Sequence, residues 1–112
     1  MIRTIGKSAL IDVSADASNS VAVKSDGLLL CGIVFPATMT GANVTFDFSF
    51  DGVNWVDVVE TNNTEVTYNV SAGNAVRVDP SGWAFASSGY LRITSDGTEV
   101  ADRNITLIFR TS

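Results

Sequence analysis

Apolar residues recur at every second position along most of this chain, the spacing of strands that bury one face. Val44, Phe46, Phe48 and Phe50 alternate with Thr45, Asp47 and Ser49, which predicts a half-buried strand over Asn43 to Phe50. Asp51-Gly52-Val53-Asn54 then supplies a turn and Trp55 to Val59 resumes the alternation, so the two runs predict a β-hairpin. The same pattern predicts strands at Ala9 to Val13, Ser20 to Val23, Glu65 to Val70, Ala75 to Asp79, Tyr90 to Thr94 and Arg103 to Arg110. In the last of these Ile105, Leu107 and Phe109 share a face, and the apolar run Leu28 to Pro36 fits a buried strand.

Reversals are marked at Ser25-Asp26-Gly27 and Ser95-Asp96-Gly97, because an Asp-Gly pair tolerates the positive φ that tight turns require. No stretch carries a helical stripe, so helix is expected to be nearly absent. Eight or nine short strands imply two facing sheets or a closed barrel, since one sheet cannot bury this much Phe and Val. The expectation is an all-β fold: one antiparallel, jelly-roll-like β-sandwich over residues 1–112. The polar stretch from Ser14 to Ser20 leaves two readings of residues 1–20: an arm that lends Ile2 and Ile5 to a neighbour's sheet edge, or an edge strand of the same sandwich.

Composition narrows the function. The apolar fraction of 46% and positive mean hydropathy exclude a disordered chain. A net charge of −5 with seven scattered Lys and Arg argues against nucleic-acid binding, which needs clustered cations. No apolar run approaches the roughly 20 residues of a membrane helix. No secretory signal pattern follows Met1-Ile2-Arg3-Thr4, so the site of synthesis is expected to be the cytoplasm. Cys31 is the sole cysteine, and Leu29, Leu30, Ile33 and Val34 around it predict an inert core thiol.

The chain has no histidine, which removes Ser-His-Asp, Cys-His and His-based metal chemistry. Its twelve carboxylates are read as solvated surface charge. Asp47, Ser49, Asp51 and Gly52 imitate the first half of a calcium loop, but the position that should be Glu is Val58. Four Asn-x-Ser/Thr triplets, from Asn43, Asn62, Asn69 and Asn104, are expected by chance in so Asn- and Thr-rich a chain. The glycines stand singly in turns and form no phosphate loop. No catalytic, cofactor or metal site is therefore expected. Trp55 is read either as closing one end of the core or, with Tyr90, as a stacking platform for a glycan. Trp83 and Phe85 lie in a loop of small residues and are candidate interface anchors.

Phe35-Pro36, Thr40-Gly41-Ala42-Asn43-Val44-Thr45-Phe46 and Ser49-Phe50-Asp51-Gly52-Val53-Asn54-Trp55 follow one another in an order that resembles small structural proteins of tailed bacteriophages. Tyr90-Leu91-Arg92-Ile93-Thr94-Ser95 and Asp102-Arg103-Asn104-Ile105-Thr106-Leu107-Ile108 resemble the closing strands of that pattern. The S-x-D-G-x-x-W hairpin is also similar to one in discoidin-like carbohydrate-binding sandwiches, where it is largely scaffold. The resemblance implies a virion component made in the bacterial host cytoplasm, foremost a capsid decoration or cement protein, often a homotrimer, whose partners are the major capsid protein or other virion proteins. On that reading Ile2, Arg3, Ile5, Trp83 and Phe85 contact the shell, and Arg92 and Arg103 pair with its carboxylates. The alternatives are a glycan- or host-recognition module using Trp55 or Tyr90, and a tail or head-to-tail joining protein.

Overall fold

The computed structural model describes residues 2–111; Met1 and Ser112 lie outside the described residues. Nine strands and one short 3-10 helix follow in chain order: β1 (Thr4–Ile11), β2 (Val23–Lys24), β3 (Leu29–Val34), β4 (Asn43–Ser49), β5 (Val56–Asp57), β6 (Thr67–Asn69), β7 (Ala75–Arg77), the helix (Pro80–Ala86), β8 (Tyr90–Ser95) and β9 (Arg103–Arg110). One sheet has the order β1-β9-β3-β7 and the other β2-β8-β4-β5, with β6 pairing the remaining length of β4. The pairings nest, first strand with last: β1 with β9, β2 with β8, β3 with β7, and β4 with β5 and β6, all antiparallel. That nesting is the wrapping of a jelly roll.

Alternation places the core. Ala9, Ile11, Leu30, Ile33, Ile105, Leu107 and Phe109 face inward from one sheet, and Val44, Phe46, Phe48, Leu91 and Ile93 from the other. β9 matches its expected range, and β4 departs from it at one residue: the strand stops at Ser49, so Phe50 swings out and is 79% exposed instead of joining the core. β3 carries a bulge between Leu30 and Gly32, and the extra residue is Cys31. Cys31 is thus half-buried and outside the core cluster, a correction to the core thiol expected from its apolar neighbours.

The first residues are an edge strand. β1 pairs with β9 over eight residues, from Thr4↔Arg110 to Ile11↔Arg103, and starts earlier than the expected Ala9. The segment after it is also tied down: Asn19 bridges to Thr94, Ser20 N donates to Ile93 O (2.8 Å), and Glu99 N donates to Ala17 O (2.9 Å). Of the two readings of residues 1–20, this structure has the strand and not the free arm.

Pro80 to Ala86, expected as a loop, forms the 3-10 helix. Asp79 caps it, accepting from Ser81 N (3.1 Å), and Pro80 needs no backbone donor at the first position. At three residues per turn Trp83 and Ala86 share the inward face, which leaves Phe85 outside. No helix among the described residues is long and apolar enough to cross a membrane.

Candidate docking surface

The Ser49-to-Trp55 turn is built from its own polar atoms. Ser49 Oγ accepts from Asp51 N (3.2 Å) and Gly52 N (2.8 Å) and donates to Asp51 Oδ1 (2.9 Å). Asp51 in turn accepts from Val53 N (2.8 Å), Asn54 N (2.9 Å) and Asn54 Nδ2 (2.8 Å). These bonds, the one from Asn54 N foremost, hold the Asp51 carboxyl well below the usual carboxylate range. Gly52 has φ 79°, which explains the glycine. Ser49 and Asp51 of the apparent calcium loop are thus spent on the turn itself, and Asp47 is taken by Arg92.

Trp55 leaves this turn on the outer face of β4 and β8, outside the core cluster, so the core reading of Trp55 is corrected. Its ring receives the Arg92 guanidinium at 4.7 Å, and Arg92 Nε donates to Asp47 Oδ2 at 2.8 Å. Asp47 and Ser49, expected on a solvated face, do point outward but are buried, because this ring, Arg92 and the turn cover them. Burial pushes the Asp47 carboxyl up, Arg92 opposes the shift, and Asp57, directly across the strand pair, adds to it. Tyr90 is half-buried on the same face, its ring under Gly52.

Two arginines expected to seek partner carboxylates are already paired within the chain. Arg92 holds Asp47, and Arg103 Nε donates to Glu99 Oε1 at 2.8 Å with Glu99 fully covered. Trp83 is also corrected: at 4% exposure it is a core residue, edge-on to Phe46 at 4.8 Å, with Nε1 donating to Tyr68 Oη at 3.3 Å. Phe85, half exposed, keeps the place of an anchor. Ile2, Arg3 and Ile5 are exposed at and just before the start of edge strand β1, whereas Phe85 lies on the 3-10 helix.

Around Phe85 the structure assembles residues that the sequence scattered. Phe85 lies 5.5 Å from Phe48, which lies 4.8 Å from Phe50. Three grooves, of about 370, 250 and 230 Å³, run into one another by sharing Val58, Val59 and Phe85 at one junction and Phe48 and Val56 at the next. Together they make an apolar strip from Phe50 past Val56 and Val59 to Phe85, each of which is exposed, with Val53 at the tip of the adjoining turn. Asp51, Asp57, Glu60 and Asp79 rim the strip, and no Lys or Arg lines these grooves. A signal for it was present: residues 25–76 hold six carboxylates and no cation, and Val53 sits where a turn normally places a polar residue. No family model, no curated protein and no solved structure matches this chain.

Proposed function

We propose that this domain is a non-enzymatic docking protein of a tailed-phage virion, most simply a decoration protein that binds an assembled capsid and stabilises it by preferring the assembled state. The observation that carries the reading is the strip of Phe50, Val56, Val59 and Phe85, a contiguous apolar surface with a polar rim. Monomers keep such surfaces small unless they are used, and a hydrophobic centre inside a charged border is the anatomy of a protein interface. The resemblance of residues 35–55 and 90–108 to phage structural proteins supports placing that interface on the outside of a shell. Fold analogy adds only that jelly rolls serve in capsids and in sugar-binding domains alike.

The test uses particles made without this protein. The purified domain should co-sediment with them, and Val56→Asp should reduce binding at least tenfold without altering the circular dichroism spectrum. Undiminished binding of Val56→Asp would remove the strip from the reading.

A second reading rests on the outer face of β4 and β8, where Trp55 stands beside the fixed polar groups Arg92 and Asp47, with Tyr90 near. An aromatic platform with a few oriented polar groups suits a glycan. Saturable sugar binding that disappears in Trp55→Ala would favour it. A joining role in the tail or connector is separated by copy number, which is a dozen or fewer there and hundreds for a decoration protein.

A further inference from the structure

At the Phe85 end of the strip, the groove of about 370 Å³ combines an aromatic wall with two unpaired carboxylates. Trp83 and Phe85 lie stacked at 5.9 Å, and Tyr68 Oη accepts from Trp83 Nε1. Glu60 reaches the lining from the turn between β5 and β6, which is closed by Glu60 N donating to Thr64 O at 2.7 Å. Asp79 reaches it from the cap of the 3-10 helix, where its Oδ1 accepts from Ser81 N and Oγ and its Oδ2 stays unengaged. The ion pairs among the described residues lie elsewhere, at Asp26, Asp47 and Glu99. Arg77 borders a different hollow and pairs with neither carboxylate. Both charges are felt at the aromatic wall: burial foremost pushes the Tyr68 hydroxyl up, Trp83 opposes the shift, and Glu60 and Asp79 add to it.

We infer that this groove seats an arginine of the docking partner, its aliphatic stem along Val59 and Phe85 and its guanidinium at Glu60 and Asp79. The inference rests on the reading of the strip as a docking surface and states what the partner presents: an arginine flanked by apolar residues that cover Phe50 and Val56. Charge complementarity selects it. An anion would be repelled here, and a wholly apolar side chain would strip water from two carboxylates and give nothing back. A guanidinium on a hydrocarbon stem meets the apolar wall, the exposed ring of Phe85 and both carboxylates at once. The chain completes the same combination once by itself, on the outer face, where Arg92 lies over the Trp55 ring and donates to Asp47. At the groove it supplies the rings and the carboxylates, and the cation has to come from outside. Entry is open beside Gly82, where a Cβ would meet nothing within 4 Å.

Amide and indole NMR spectra of the full chain, titrated with n-butylguanidinium chloride, test the site apart from any particle. The Trp83 indole N–H and the backbone amides of Glu60, Thr61 and Gly82 should shift and saturate in the millimolar range. n-Butanol, with the same stem and no charge, should bind roughly tenfold more weakly, and n-butylammonium should also bind more weakly. Glu60→Gln combined with Asp79→Asn should weaken the guanidinium by about tenfold. Asn keeps the helix cap at position 79, and Glu60→Gln alone, at an exposed side chain, serves if the double variant fails to fold. Equal binding of n-butanol, or an affinity unchanged in both variants, overturns the inference; an ammonium that binds as tightly overturns the assignment to arginine. On particles, Glu60→Gln should weaken binding by about threefold and flatten its dependence on salt. Particle binding lost in Val56→Asp but unchanged in Glu60→Gln overturns the arginine while leaving the docking reading intact. A chain that binds n-butylguanidinium and no particle keeps the guanidinium site and overturns the capsid as its source.

Discussion

Glu99 is the most deeply buried carboxylate among the described residues, and replacing it by Gln tests how the two sheets are joined at one end. Its Oε1 accepts from Thr40 N and Arg103 Nε and its Oε2 from Gly41 N and Ser95 Oγ, each at 2.8 Å. Burial alone pushes its carboxyl up, but these four donors outweigh burial and leave it at about 2, against an ordinary value of 4.5. The difference corresponds to about 3 kcal/mol in favour of the folded, ionised state. An independent route agrees: removing one partner of a buried ion pair costs about 3–5 kcal/mol, and here Arg103 would be left uncompensated. Because the folded value is depressed, the stabilisation is complete above pH 4.5 and is lost as pH falls toward 2. Urea unfolding of wild type and Glu99→Gln at a series of pH values measures both parts. At pH 7 the variant should be less stable by about 3 kcal/mol, and the gap should narrow below pH 4.5. A loss under 1 kcal/mol, or a gap independent of pH, would refute the assignment of this network as a principal clamp.

Three further outcomes follow from the same structure. Gly41→Ala should destabilise by roughly 1–3 kcal/mol in urea unfolding, because a Cβ there would collide with Ser95 Oγ and crowd Asp96 Oδ1 at 2.9 Å. Asp57→Asn should stabilise by about 0.2–1 kcal/mol at pH 7 by removing the like charge opposite Asp47. Since the Asp47 value is raised, that strain grows as pH rises through it, and the gain should vanish in acid, as paired melting curves would show. Trp83→Ala should cost about 3–5 kcal/mol and Trp55→Ala about 0.5–2 kcal/mol, since the first empties a core site and the second removes a ring held by Arg92 on the surface. Equal losses would contradict the placement of the two rings.

Period-two patterning, with the apolar run from Leu28, was enough to predict eight or nine strands because each inward residue faces one common core, and Ile105, Leu107 and Phe109 show it at its plainest. What alternation cannot register is where a strand stops: Phe50 continues the pattern of β4, yet the Ser49–Asp51–Asn54 hydrogen bonds bend the chain one residue earlier. Trp83 was misplaced because a 3-10 turn has period three and is too short to leave a stripe. The roles of Glu99 and Asp96 were invisible for a different reason. They clasp Thr40, Gly41 and Ala42 across more than fifty residues of sequence, and that contact exists only after β4 and β8 have paired. The apolar strip shares this origin, since Phe50, Val59 and Phe85 come onto one surface only through tertiary structure.

The pairing of β1 with β9 also governs how the chain reaches this state. Thr4 waits for Arg110, so a nascent chain leaving the ribosome cannot seat its first strand until its last has emerged. Until β9 is available Ile5, Ala9 and Ile11 lack their register partners, and so long-range a pairing slows folding. Chains in that state expose Ala9 and Ile11, which the finished sandwich buries, so a lower growth temperature during expression should raise the recovered soluble yield.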